Sequence, residues 1–302
     1  LNSSNCGGAK PICTSNLCGA CKGDGECSAK DSATKACVTA GASAGQCVPC
    51  TSNSHCGGTT PICETSTNTC RACSGDNECT GMGPGVCMKH QDGRCASDAE
   101  TVVVTSTATL PAPIPTGKRL VIIRGSVTGT VHWTLSGSQV TIIGQNTGVL
   151  TGNGTNATMR ISGGDFYMRD LSLTGGSPGL WADGGAVARL DHVTVSNNTA
   201  GGILLDGAAF DIKNTTVNSN GANTAGAGAF GGIRIQNPPA TPKMLSFSTI
   251  NDNQLIGVSC DSGTAVNPLP TTVLVAQATG VPVAAICAFT SCGAASSSCG
   301  AQ

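Results

Sequence analysis

Hydrophobic positions in the second half of the chain recur in a short, fixed phrase. Leu190 to Asn198, Ile212 to Asn220 and Leu245 to Asn253 each read apolar, four mostly polar positions, apolar, two polar, Asn. A degenerate copy, Met168 to Gly176, lies upstream, and the copies follow one another after 22, 22 and 33 residues. A second phrase falls between them: Gly179 to Asp183, Gly202 to Asp206, Gly232 to Gln236 and Gly257 to Asp261. No run is long enough, or spaced at three and four, to form an amphipathic helix. Repeats of this period, built from short β-rich runs and polar turns, predict a solenoid. Lys118 to Ile123 and Gln139 to Ile143 read as strands of early coils, and Thr101 to Thr107 as a β-branched start. Pro111, Pro113 and Pro115 predict an extended bridge after it.

Each main phrase ends on an Asn at one corner: Asn198, Asn220 and Asn253. Asn tolerates the left-handed backbone of tight corners. Its amide can also hydrogen-bond to an identical amide stacked above it, forming a ladder. With two or more strands per repeat, the pattern resembles the right-handed parallel β-helix superfamily, which includes pectate lyases and polygalacturonases, over roughly residues 100 to 290. The implied fold class is all-β, a right-handed parallel β-helix solenoid. Stacked strands lie ~4.8 Å apart, so seven or eight coils would make a rod roughly 35–40 Å long. Gly221 to Phe230 and the stretch with Pro238, Pro239 and Pro242 are expected to bulge from its corners, where binding loops are usually placed.

Cysteine changes the picture for the first third. Of 19 cysteines, 15 lie between Cys6 and Cys95, in an aromatic-free stretch. Cys21, Cys27, Cys37 and Cys47 form one unit, Cys50, Cys56, Cys63 and Cys70 the next, and Cys73, Cys79, Cys87 and Cys95 the last. An incomplete first unit holds Cys6, Cys13 and Cys18. Leu1 to Cys13 aligns with Thr51 to Cys63, and Cys50 directly precedes Thr51. The expectation is therefore that a cysteine precedes Leu1 in a longer chain; a true start at Leu1, with one free or intermolecular thiol, is the alternative. The sequence shows no exporting segment, so the expected start is a processed or excised one.

Four cysteines allow three pairings. First-to-third with second-to-fourth is preferred because it interlocks a unit, and the spacing leaves the other two open. Zinc is the competing reading of the pairs Cys18/Cys21, Cys47/Cys50 and Cys70/Cys73, but no His stands at ligand spacing. Units of ~24 residues cannot bury a useful core, so crosslinks must supply their stability. The string of units resembles cysteine-rich tandem repeats of secreted bacterial proteins, of myxobacterial type, which implies a stalk, spacer or interaction module. Cys260, Cys287, Cys292 and Cys299 are expected to form two disulfides that fasten a C-terminal cap over a sticky sheet edge. The cysteine region could cap the other end, and an uncovered end would allow head-to-tail stacking. The division read from sequence is 1–99 repeats, 100–280 β-helix and 281–302 cap.

The formal net charge is −1, which argues against nucleic acid or an anionic membrane as partner. No apolar run is long enough to insert into a membrane. So many cysteines point to an oxidising, extracellular or cell-surface location.

Candidate chemistry is sparse. Arg169, Asp191 and Lys213 align in one column, and Arg189 and Asp211 in its neighbour, as stacked charges that stabilise adjacent strands. Asp183, Asp206, Gln236 and Asp261 form another column. Calcium is its less favoured reading: Gln236 breaks the row, and Asp-Gly is ordinary turn chemistry. The resemblance to polygalacturonases is confined to Gly232 to Gln236; their Asn-Thr-Asp, Asp-Asp and Gly-His-Gly motifs are missing. An inverting hydrolase needs carboxyls about 6.5–9.5 Å apart, and the columns show no such excess. Nor can the calcium-binding Asp cluster and basic proton abstractor of pectate lyases be assembled. His132 and His192 stand singly and read as structural. Trp133, Tyr167 and Trp181 could stack a sugar ring but read more readily as core or capping residues.

No catalytic, cofactor or metal residue is therefore expected. The sequence reads as a secreted, non-enzymatic structural or adhesive protein, extended to the subunit of an extracellular filament or surface appendage. Its expected partner is itself, or an extracellular polysaccharide. A β-helix polysaccharide lyase or hydrolase and a carbohydrate-binding module are the alternatives.

Overall fold

A computed structural model describes residues 5–222, 230–237, 239, 243–255 and 257–260, with the backbone of short strands at Ala265–Pro268, Val273–Leu274 and Ala288–Phe289. The chain divides into two compact units, Leu1–Asp98 and Ala99–Gln302. The cap expected at 281–302, with Cys287, Cys292 and Cys299, lies outside the described residues, as do Asp261 and much of both expected bulges. Of Cys260, only the backbone is described, in the strand Val258–Cys260.

The first unit is a series of crosslinked hairpins. Antiparallel pairs join Ile12–Thr14 to Leu17–Gly19, Ala36–Cys37 to Cys47–Val48, and Ile62–Glu64 to Thr69–Arg71. In every pair the third and fourth cysteines of the unit stand opposite: Cys13 and Cys18, Cys37 and Cys47, Cys63 and Cys70; Cys87 and Cys95 form the equivalent bridge. The disulfides tie both hairpin strands back to the loop before them. Cys21–Cys37, Cys50–Cys63 and Cys73–Cys87 join first to third. Cys27–Cys47, Cys56–Cys70 and Cys79–Cys95 join second to fourth, and Cys6–Cys18 is the same bond in the first unit. All six sulfurs of the zinc reading, Cys18, Cys21, Cys47, Cys50, Cys70 and Cys73, are thereby taken up in disulfides. The buried core of these units is mostly cystine, with Ile12 and Ile62 against it.

Two recurring hydrogen bonds shape each loop, and neither was read from the sequence. Three residues after the first cysteine, Asp24, Asn53 and Asp76 accept the backbone N–H of the third cysteine at 2.8, 2.8 and 2.9 Å. Five residues after it, Glu26, His55 and Glu78 accept the N–H of the residue following that cysteine, at 2.7, 3.4 and 2.7 Å. A seven-residue helix, Asp24–Lys30, fills the longer loop of the second unit.

The second unit is a parallel β-solenoid of six three-strand turns among the described residues, with the strands Ala265–Pro268 and Val273–Leu274 pairing onward from the sixth. The first sheet stacks Leu120–Thr128, Gln139–Thr151, Asp165–Arg169, Val187–Asp191, Ala209–Lys213 and Lys243–Ser246. The second begins on the C-terminal parts of the two long strands and continues through Ser172–Thr174, Thr194–Ser196, Thr216–Asn218 and Thr249–Asn251. The third stacks Val131–Thr134, Met159–Ser162, Leu180–Asp183, Ile203–Asp206, Ile233–Gln236 and Val258–Cys260. Thr101–Val104 pairs onto the first turn. Inward residues form one continuous apolar core, from Val104 through Trp133, Leu173 and Leu205 to Val258.

Corners are columns of left-handed residues. Asp170, His192, Asn214 and Phe247 turn the chain from the first sheet to the second, each with φ between 48 and 55°. Asn197, Ser219 and Asp252 turn it toward the third, at 55, 55 and 51°. The ladder Asn is the next residue. The strained backbone and the stacking amide thus fall on neighbours, which corrects the expectation that one Asn does both. Asn198 donates from Nδ2 to Oδ1 of Asn220 at 2.8 Å, and Asn220 to Asn253 at 2.8 Å. Each amide also reaches back to the preceding turn, donating to the Leu173, Val195 or Val217 carbonyl at 3.2, 3.0 and 2.8 Å. The ladder presses against glycine: a Cβ on Gly179 would stand 2.5 Å from Nδ2 of Asn198, and one on Gly202 2.9 Å from that of Asn220.

Candidate functional site

Alternation along each strand sends every second residue outward, so the sheets carry columns of outward side chains. On the first sheet the aligned charges fall as the repeats predict: Arg169 pairs in register with Asp191 and Asp191 with Lys213, and Arg189 with Asp211. Their contacts are partly diagonal. Arg189 Nη1 reaches Asp165 at 3.0 Å, and Arg169 contacts Asp170 at 2.6 Å.

Asp191 is the most enclosed carboxylate of this sheet. It accepts from Tyr167 Oη at 3.0 Å and Asn214 Nδ2 at 2.8 Å, with Lys213 Nζ at 3.5 Å and His192 Nδ1 at 2.8 Å. Burial pushes its carboxyl up, but the Asn214 and Tyr167 hydrogen bonds and the Lys213 and His192 charges outweigh burial and hold it below the ordinary range. Burial first, then the Asp191 charge, raises the Tyr167 phenol. The pair is thus locked as phenol and carboxylate. Asp165 moves the other way, raised by burial against the opposing pull of Arg189.

The third sheet carries the most varied chemistry. His132, Arg160, Trp181, Leu204, Arg234 and Ser259 form one outward column in register. Thr134, Ser162 and Asp183 lie in the next, and Asp206 is in register with Gln236. Arg160 lies over the Trp181 ring, 3.9 Å from its centre, and donates to Asp183 Oδ2 at 2.8 Å from Nε and 2.5 Å from Nη2. His132 Nε2 is 3.1 Å from Ser162 Oγ, and Arg234 Nη1 is 2.5 Å from Ser259 Oγ. Asp206 accepts from Asn237 Nδ2 at 3.0 Å.

The candidate residues are therefore distributed rather than gathered. Trp133 is fully buried, donating to the Pro111 carbonyl at 2.8 Å. Tyr167 is buried against Asp191, and Trp181 lies under a guanidinium. His192 is an exposed corner residue. Asp183 and Asp206 each face a protein donor that a cation would have to displace. Arg160 was missed in the sequence because it precedes the first aligned copy at Met168; its position in line with Trp181 follows only from the register of the strands. Among the described residues no helix is long and apolar enough to cross a membrane.

Fold and faces together define a chain of disulfide-stapled hairpin units joined to a parallel β-solenoid. The crosslinks require an oxidising environment. Compared with known proteins, the chain matches no family model, no curated protein and no solved structure.

Proposed function

We propose that this chain is an extracellular or cell-surface structural protein that works by adhesion or assembly without turnover, its cystine hairpins forming a spacer and its solenoid a contact surface. The observation that supports this most is where the solenoid's carboxylates go. Asp165, Asp170, Asp183, Asp191 and Asp206 each contact an Arg, Lys, Tyr or Asn of the same or a neighbouring turn. A general acid and its partner must meet a substrate across a gap, whereas Asp165, Asp183, Asp191 and Asp206 are held by side chains of a neighbouring turn. Distant kinship with the pectate-lyase-like superfamily, and for the hairpins with secreted myxobacterial repeats, fits this reading as scaffold inheritance. A β-helix lyase or hydrolase is the second reading, favoured only by the Arg160, His132 and Asp183 neighbourhood.

The test uses the oxidised chain, imaged by negative-stain electron microscopy and co-sedimented with insoluble extracellular polysaccharides. Fibres of the chain, or its retention on a polysaccharide, is the expected result. Dispersed particles that neither assemble nor sediment would overturn the proposal.

A further inference from the structure

The outward face of the second sheet differs from the other two. Its first column runs Ser126, Val149, Ser172, Thr194, Thr216 and Thr249 in register. The second, two residues along each strand, runs Thr128, Thr151 and Thr174, then Ser196, Asn218 and Asn251. None of these twelve positions is charged or aromatic, and eleven carry a hydroxyl or amide. Charged groups line the outward faces of both other sheets. Between the columns, Val127, Leu150, Leu173, Val195, Val217 and Ile250 point inward and are fully buried, so the face stands on packed core.

Among the described residues none hydrogen-bonds to the Thr194, Thr216 or Thr249 hydroxyl. Threonine is stiff at χ1, so these groups are held in place before anything binds. Neighbours within a column are ~4.8 Å apart, and the columns are separated by two residues of strand, roughly 6.6 Å. The result is a neutral, two-dimensional lattice of hydroxyls and methyls.

We infer that this face binds an ordered, uncharged water lattice, namely the surface of ice. Hydroxyls fixed on such a grid hold waters in a repeating array that can join the lattice of ice, while the methyls shed disordered water. Sugar rings are gripped by aromatic faces, which this array lacks, and none of the twelve positions offers a charged partner a counter-charge; the Asp252 carboxylate beside them takes the Asn251 amide at 2.7 Å.

Ice adsorption decides it. The oxidised full chain, labelled with a fluorophore, is exposed to a growing single ice crystal, and inhibition of ice recrystallisation is titrated. The intact chain is expected to incorporate into the ice and arrest recrystallisation. Thr194→Lys with Thr216→Lys should raise the concentration needed by roughly tenfold or more, at unchanged circular dichroism and melting temperature. Asp211→Lys, on the first sheet, should leave it unchanged. Exclusion of the intact chain from ice, an unaffected double variant, or retention on crystalline cellulose in place of ice would overturn the inference.

Discussion

At the scale of single residues, the solenoid separates two roles that the repeat places side by side. Asn220 carries the ladder, and the residue before each ladder position carries the strained backbone. Removing the Asn220 side chain strands the buried Asn198 N–H, which it accepts at 3.1 Å, and breaks the ladder to Asn253, whose Oδ1 keeps only the Asn220 backbone N–H. Asn220→Ala is expected to cost at least about 2 kcal/mol in chemical denaturation. Asn197, exposed at φ 55°, should tolerate glycine within about 0.5 kcal/mol, whereas Asn197→Val should cost about 1–2 kcal/mol because a branched side chain resists that backbone. Equal costs for Asn220→Ala and Asn197→Gly would refute the division. The ladder was legible because three Asn recur at one position of the phrase. The corner column Asp170, His192, Asn214 and Phe247 was not, because those four side chains share no chemistry, only a backbone angle.

At the scale of elements, the hairpin units repeat a loop as well as a crosslink. The pairing of first to third and second to fourth cysteines follows from the hairpin, which places the last two cysteines opposite one another and frees each to reach back. The loop acids were not legible, since Asn53 and His55 stand where the other units have Asp and Glu. Glu78 shows what the position does electrically. The Arg71 guanidinium, 2.6 Å away, together with the Ser74 N–H, lowers its carboxyl from 4.5 to about 2. A carboxyl depressed on folding contributes stability that is complete above its unfolded value and is lost as pH falls through the folded one. The full chain should therefore lose stability between pH 4.5 and about 2, and Glu78→Gln should flatten that part of the melting-temperature profile. An unchanged profile in the variant would show that Arg71 does not hold Glu78 as a carboxylate. His55 joins neighbouring units in the same loop, its Nε2 2.9 Å from Asp24.

At the scale of the whole molecule, two unlike solutions to a small hydrophobic content lie in one chain. The hairpins replace core with cystine, and the solenoid stretches one apolar column through successive turns. Alternating apolar residues and the fixed period made the solenoid legible, and cysteine spacing made the hairpins so. What the outward faces do was not legible, because strand register brings together residues, such as Arg160 and Trp181, that no motif links. The central claim is that these faces hold and contact without converting a substrate. The most direct test is turnover: the oxidised chain is incubated with acidic and neutral polysaccharides across a range of pH, with and without calcium, and reducing ends and unsaturated products are measured. No product above a heat-denatured control is the expected result. Release of product that is abolished by Asp183→Asn or Arg160→Ala in a folded variant would contradict the account and make the third sheet an active site.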